Sequence, residues 1–290
     1  SKKIIEDIKV PVIVNAIGYH EYEKVNKTNI DKFNRFLETV AINRKWFLSV
    51  RNDGSFDRLK DRYGKNIKKI YRVPDNGFIY HPNCKQRQLR KEKTTIWIGM
   101  NLTNELFSKR YNDQVTTNLF NKKISKFINL IFSEEINFKI IFFTHTTEDI
   151  STLGKILVGI DDKFKRERVF LAPFYTSNKT VDQIFDLYKI CRCVIAMRFH
   201  SNVCCLSMNI PTIGLAGHQQ ISDLYNEINL KNQCVKVNNK NFIIDLENKF
   251  RISVKDAKKI TKENSKINVT IKHQSDYYFN QIKNFLKENI

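Results

Sequence analysis

Apolar residues recur along the chain in two alternating rhythms. The run VPVIVNAIGY at 10–19 has the character of a buried strand, whereas IDKFNRFLETVAI places Ile30, Phe33, Phe36, Leu37, Val40 and Ala41 on one face of a helix. KWFLSVR returns to the strand pattern, and SFDRLKDRYG reads as a short helix stopped by Gly64. KIYRVPDNGFIY reads as a strand broken by a Pro-Asp-Asn-Gly turn. Strands alternating with helices predict a mostly parallel sheet with helices on its faces.

The basic stretch HPNCKQRQLRKEK at 81–93 interrupts this pattern and predicts a domain junction. A second series follows it. Its predicted strands are TTIWIGMNL, FKIIFFTHT, RVFLAP, CVIAM and TIGLAG, and its helices are TNLFNKKISKFINLIF, EDISTLGKILVGI, TVDQIFDLYKI, SNVCCLSM and ISDLYNEI. Tyr278, Ile282, Phe285 and Leu286 lie at helical spacing in a closing helix expected over about 272–290. The expected architecture is an α/β chain with two Rossmann-like domains facing each other across a cleft. They cover 1–85 and 94–250, with a helical tail over 251–290.

A length of 290 residues lets two such domains each bury a core. With 41% hydrophobic and 12% aromatic residues the chain is too rich in core formers to be disordered. Its apolar runs fall short of the roughly 20 residues a membrane span needs. The opening SKKIIEDI lacks the apolar stretch of a signal peptide, so a cytoplasmic location is expected.

The net charge of +20 comes from lysines spread along the chain among abundant Asn and Ile, and no nucleic-acid motif accompanies it. Charge of this kind predicts attraction to anionic partners: phosphorylated small molecules, acidic glycans or the inner face of a membrane. Cys191, Cys193, Cys204 and Cys205 crowd into one apolar segment and read as small, buried, reduced residues. Their spacing does not fit a structural zinc site, and no metal is expected.

Candidate chemistry centres on CVIAMRFHSNVCC. An extended segment carries residues i and i+2 to the same side, so Arg198 and His200 are expected to project together from the carboxyl end of a strand, where ligands bind in parallel sheets. Ser201 and Asn202 are expected to cap the following helix, whose N-terminus favours an anion. TIGLAG delivers His218 and Gln220 to the same edge, and Arg51 ends KWFLSV before the turn NDGS. The same features also suit a salt-bridging arginine and a capping histidine. His145, in FFTHTTED, reads equally as a cleft residue or a helix cap.

The segment AMRFHSNVCCLSMNIPTIGLAGHQQISDLYNEINL closely resembles the signature region of the polysaccharide pyruvyl transferase family. SVRNDGSFDRLKDRYG is similar to that family's Ser-x-Arg-Asp-x-x-Ser segment, and VPDNGFIY to its Val-x-Asp-x-x-Phe strand. The resemblance implies a GT-B-like transferase that moves an enolpyruvyl unit from phosphoenolpyruvate to a sugar and closes a cyclic ketal. The acceptor, a glycan or lipid-linked sugar, belongs to the first domain and the donor to the second. It implies that His200 acts as general acid/base. Arg198 and Arg51 would bind the donor with Ser201, Asn202, His218 and Gln220, while Asn52 and Asp75 lie on the acceptor side. No cofactor beyond the phosphoenolpyruvate donor is implied.

The chain departs from the family pattern in three places. Gly217-His218-Gln219-Gln220 stands where many members have Tyr-Asp-Pro-Lys, Arg51-Asn52 replaces Arg-Asp, and the family's initial βα portion with its glycine-rich loop lies outside the residues present. Two alternatives follow: a GT-B glycosyltransferase using a nucleotide sugar, and a non-catalytic glycan-binding relative that has lost donor binding.

Overall fold

The computed structural model describes residues 7–21, 26–80, 94–105, 107, 116–174 and 181–290, so the expected junction at 81–93 lies outside the described residues. The chain divides into two compact units, one of residues 1–79 with 269–290 and the other of 80–268.

The first unit holds β1 (Val12–Ile17), α1 (Lys27–Ile42), β2 (Trp46–Arg51), α2 (Ser55–Tyr63) and β3 (Ile70–Val73). The strands form a parallel sheet in the order β1-β2-β3, in which Arg51 pairs with Val73 at the carboxyl edge. Alternation along β2 decides its two faces. Leu48 and Val50 pack with Leu37 and Val40 of α1 and Leu59 and Tyr63 of α2, while Phe47 packs with Val73 and Tyr278 on the other face. VPDNGFIY differs from expectation beyond Val73. Asp75 accepts from the Gly77 amide at 2.8 Å and starts a 3-10 turn, Asn76–Phe78, so the chain does not resume a strand there.

The second unit contains β4 (Ile96–Asn101), α3 (Thr117–Glu134), β5 (Phe138–Phe142), α4 (Thr147–Val158), α5 (Asp162–Arg168), β6 (Val169–Leu171), α6 (Val181–Ile190), β7 (Cys193–Ala196), α7 (Phe199–Ser207), β8 (Thr212–Ala216), α8 (Gln219–Glu227), β9 (Cys234–Lys236) and α9 (Phe242–Lys255). Its six strands are all parallel, in the order β6-β5-β4-β7-β8-β9. Counted within the unit, this is the doubly wound order 3-2-1-4-5-6, whose direction reverses between β4 and β7. Helices cover both faces: Phe120, Ile124 and Phe127 of α3 and Leu246 and Phe250 of α9 pack on one, Tyr188 of α6 and Cys205 of α7 on the other.

The last helix, α10 (Ala257–Asn289), is far longer than the closing helix read from the tail, and the division between the units falls within it. Its apolar periodicity is clear only where Tyr278, Phe279, Ile282 and Phe285 meet the first sheet. The earlier turns are rich in Lys and Asn. Asn264 and Asn268 there donate to the Ile210 and Leu206 carbonyls at 3.1 and 2.7 Å, adding hydrogen bonds to the burial of Ala257, Ile260 and Ile271.

Cys191, Cys193 and Cys205 are buried free thiols, as their apolar setting implies, and Cys204 is partly buried. Burial pushes the Cys193 thiol up to about 12 despite opposing hydrogen bonds, which keeps it protonated and unreactive. Cys84 lies outside the described residues.

Candidate active site

The reversal of strand order in the second unit leaves a crevice beyond the carboxyl ends of β4 and β7, and the polar residues following β4, β5 and β7 meet there. Asn101, the last residue of β4, accepts from the Arg198 amide at 2.9 Å and donates to the Phe143 carbonyl at 3.0 Å. The turns after β7 and β5 are thereby both tied to the end of β4. The Arg198 guanidinium then reaches back over β4. Its Nη2 lies 2.7 Å from Asp149 Oδ1 and 2.7 Å from Thr146 Oγ1, its Nε lies 3.1 Å from Asp149 Oδ1, and its Nη1 donates to Glu105.

The two carboxylates differ in kind. The Asp149 side chain is fully buried, and its Oδ2 also accepts from the His145 amide at 3.0 Å, so it is fixed in place. The Glu105 side chain is 35% exposed and binds the opposite end of the guanidinium. One buried and one solvent-facing anion on a single arginine make an asymmetric clamp with one exchangeable partner.

His200 lies in the first turn of α7 with an exposed side chain, against the Phe199 ring at 5.4 Å. The i, i+2 argument fails locally: β7 ends at Ala196, Arg198 is the N-cap, and Phe199 already belongs to the helix. The capping expectation for Ser201 and Asn202 is corrected for the same reason. Both are buried within α7. The Asn202 amide donates to the Ala196 and Arg198 carbonyls at 3.0 and 2.9 Å and accepts from the Tyr225 hydroxyl at 2.9 Å. Asn202 therefore locks β7, α7 and α8 together.

His145 is not the cap of α4. Thr146 takes that position, and His145 Nε2 lies 2.9 Å from the Tyr188 hydroxyl. Burial lowers its imidazole pKa below the ordinary value; Asp149 opposes that shift, while Arg198 and His200 reinforce it.

On the same edge of the sheet, His218 caps α8 by accepting from the Gln220 amide at 3.1 Å. Gln220 is buried, and the exposed Gln219 pairs with Asp223 at 2.7 Å. The position of the family's lysine thus offers the imidazole of His218 and no replacement cation.

In the first unit Arg51, Asn52 and Asp75 do come together. Arg51 Nη1 lies 3.3 Å from Asp75 Oδ2, and the Asp75 amide donates to Asn52 Oδ1 at 2.9 Å. Asn52 and Asp75 are buried, and what they hold in place is Arg51. Gly18 makes room for it, since a Cβ there would lie 2.8 Å from Arg51 Nη2.

The sequence reading missed Asp53, which is fully buried. Its Oδ2 takes Arg51 Nε at 2.7 Å and His20 Nε2 at 3.0 Å, and its Oδ1 takes the Ser55 hydroxyl. Burial alone would raise this carboxyl, but the hydrogen bonds from His20, Ser55 and Arg51 outweigh it and hold the group well below the usual carboxylate range. An acid therefore does stand against Arg51, although Asn52 occupies the place of the family's Asp and Asp53 is enclosed. In the second unit Glu105 and Asp149 were also missed, although each stands in a polar run directly after a strand, which is the signal that singled out Arg198.

Comparison with known proteins agrees with this architecture. The polysaccharide pyruvyl transferase family model matches residues 1–219. No curated protein matches the sequence significantly. Among solved structures, a glycosyltransferase from Rickettsia africae is similar with a TM-score of 0.60 at 13% identity, over 92% of this chain and 68% of that one. The UDP complex of S. aureus MnaA is similar with a TM-score of 0.54 at 16% identity, over 93% and 68%. Trehalose-6-phosphate synthase OtsA gives a TM-score of 0.52 at 8% identity, over 96% and 68%. These likenesses establish a GT-B-like fold.

Proposed function

Because the chain belongs to the polysaccharide pyruvyl transferase family, and is therefore a transferase of polysaccharide biosynthesis acting on a sugar, we propose that its donor is phosphoenolpyruvate and its product a cyclic pyruvate ketal. The observation that carries the proposal is the start of α7 at the strand-order reversal, with Arg198 at its N-cap and His200 in its first turn, and with His145 tied through its amide to the Asp149 that holds Arg198.

Phosphoenolpyruvate carries a carboxylate and a phosphate, and Arg198 holds one exchangeable anion already. In this reading the donor takes the place of Glu105 on Nη1, while the buried Asp149 keeps the other edge of the guanidinium in register. His218 at the α8 N-terminus supplies a further polar contact. In the first unit Arg51, fixed by Asp53 and Asp75, is a cation suited to a phosphate or a sugar hydroxyl.

Reaction requires a proton on the donor's methylene carbon, which becomes a methyl group, and attack by a sugar hydroxyl on the adjacent carbon. Loss of inorganic phosphate then leaves an oxocarbenium-like centre, which the second hydroxyl closes to the ketal. One of the two hydroxyl protons balances the methylene and the other leaves with phosphate or solvent. His200 is the acid/base for these transfers, since an imidazole can both give and take a proton. His145, biased toward its neutral form, is in the state that can accept one.

A second reading rests on the likeness to the UDP complex of MnaA: a nucleotide-sugar donor whose diphosphate would use the same edge. The test is incubation with phosphoenolpyruvate and a panel of sugars bearing paired hydroxyls, following inorganic phosphate and the product mass. Acceptor-dependent phosphate release with a ketal-sized mass gain, lost in His200→Ala, supports the proposal. Transfer from a UDP-sugar with no reaction of phosphoenolpyruvate refutes it.

A further inference from the structure

Helices α3 and α9 lie side by side, joined by the Phe120–Phe242 and Phe127–Phe250 ring contacts and by the Arg251–Glu134 ion pair at 2.7 Å. Their inward faces are core. Outward they border an open groove of about 200 Å³ lined by Lys123, Lys126, Lys240, Asn241, Ile243 and Ile244. Lys240 stands just ahead of the 14-residue helix α9, so the positive end of that helix adds to the three ammonium groups. Lys123 also lies 5.1 Å over the Phe242 ring. Among the described residues no carboxylate pairs with Lys122, Lys123, Lys126 or Lys240, in contrast to Arg251 at the far end, which two glutamates neutralise.

Apolar side chains are exposed around these lysines. Helical spacing puts Leu119 on the face of α3 that carries Lys122, Lys123 and Lys126, and on α9 Ile244 and Ile252 are both more than half exposed. Unpaired lysines interleaved with exposed Leu and Ile suit neither plain solvent nor an apolar protein partner. They match the boundary of a bilayer, where ammonium groups meet anionic headgroups and aliphatic side chains enter the acyl region.

The geometry points to peripheral docking of the α3–α9 face on an anionic lipid surface, with Lys123, Lys126 and Lys240 gathering phosphate headgroups and Ile244 inserting beside them. The net charge of +20 draws the protein to such a surface, and this face gives the attraction an orientation. The inference stands apart from the donor chemistry, since none of these residues belongs to the Arg198 cluster.

The test is co-sedimentation of the intact chain with phosphatidylcholine vesicles, with and without phosphatidylglycerol. Three proteins are compared: wild type, Lys123→Gln/Lys126→Gln/Lys240→Gln, and the charge-matched control Lys258→Gln/Lys259→Gln/Lys262→Gln on α10. Binding is expected only to the anionic vesicles. Each lysine removed from the face should weaken partitioning about fivefold, while the control stays near wild type, and Ile244→Ser should lower the part of the binding that survives high salt. Thermal melting confirms that the variants fold. No binding to anionic vesicles, equal loss in the control triple, or binding of polyuridine with no vesicle binding each overturns the proposal.

Discussion

Arg198 and Asp149 follow β7 and β5, the strands on either side of β4, each at the start of the next helix, and their side chains meet with Nη2 2.7 Å from Oδ1. Asp149 is fully buried, so this ion pair is built into the sheet edge, and it turns the guanidinium so that its remaining edge faces Glu105. The geometry of the candidate site and fold stability thus share one residue.

That sharing separates the two carboxylates experimentally. Asp149→Asn leaves a largely buried arginine without its fixed counter-charge and should lower unfolding stability by about 3 kcal/mol. Glu105→Gln removes a partly exposed partner and should cost less than about 1 kcal/mol. Urea unfolding of the two variants measures the difference, and equal losses would contradict the asymmetric clamp. If Glu105 gives way to the donor, Glu105→Gln should also lower the KM for phosphoenolpyruvate.

Asp53 predicts an acid transition. Its folded pKa lies below the unfolded value of about 3.9, so its stabilisation is complete above that value and is lost as pH falls below it. Melting temperatures from neutrality to about pH 3 should fall more steeply for wild type than for Asp53→Asn, which starts lower because it has already lost the ion pair with Arg51. Parallel curves would show that Asp53 does not carry the transition.

Gly214 packs beneath Tyr225, where a new Cβ would lie 2.3 Å from Cε2 of the ring. Gly214→Ala should therefore cost about 1–3 kcal/mol by overpacking. Tyr225→Phe, which leaves the buried Asn202 Oδ1 without its donor, should cost about 1–2 kcal/mol. Both are read by denaturant midpoints, and because the sites touch, the double variant should lose less than the sum.

Strands and helices with strong apolar periods were legible in the sequence: β2, β4, β5, β7, α1 and α3 all stand where the pattern put them. Weak ones were not. β9 is three residues long among Lys and Asn, and the first half of α10 is held by asparagine amides whose partners lie about sixty residues away. At the site, Arg198 and His200 could be found because they follow an apolar strand. What Arg198 touches depends on strand order, which brings Asp149 and Glu105 together from 44 residues apart and which no local pattern encodes. Burial, too, had to be seen in three dimensions: Asn202 and Gln220 read as polar ligand groups, yet both are enclosed by the packing of α7 and α8.

The most direct test of the central claim is a thermal-shift titration with phosphoenolpyruvate, run on wild type and Arg198→Lys with UDP as the competing ligand. At about 100 times its Kd a specific ligand adds about 2.7 kcal/mol. Phosphoenolpyruvate should therefore raise the wild-type melting temperature saturably by several degrees, the variant should lose most of that shift, and UDP should do little. A saturable shift with UDP and none with phosphoenolpyruvate would contradict the pyruvyl-donor account.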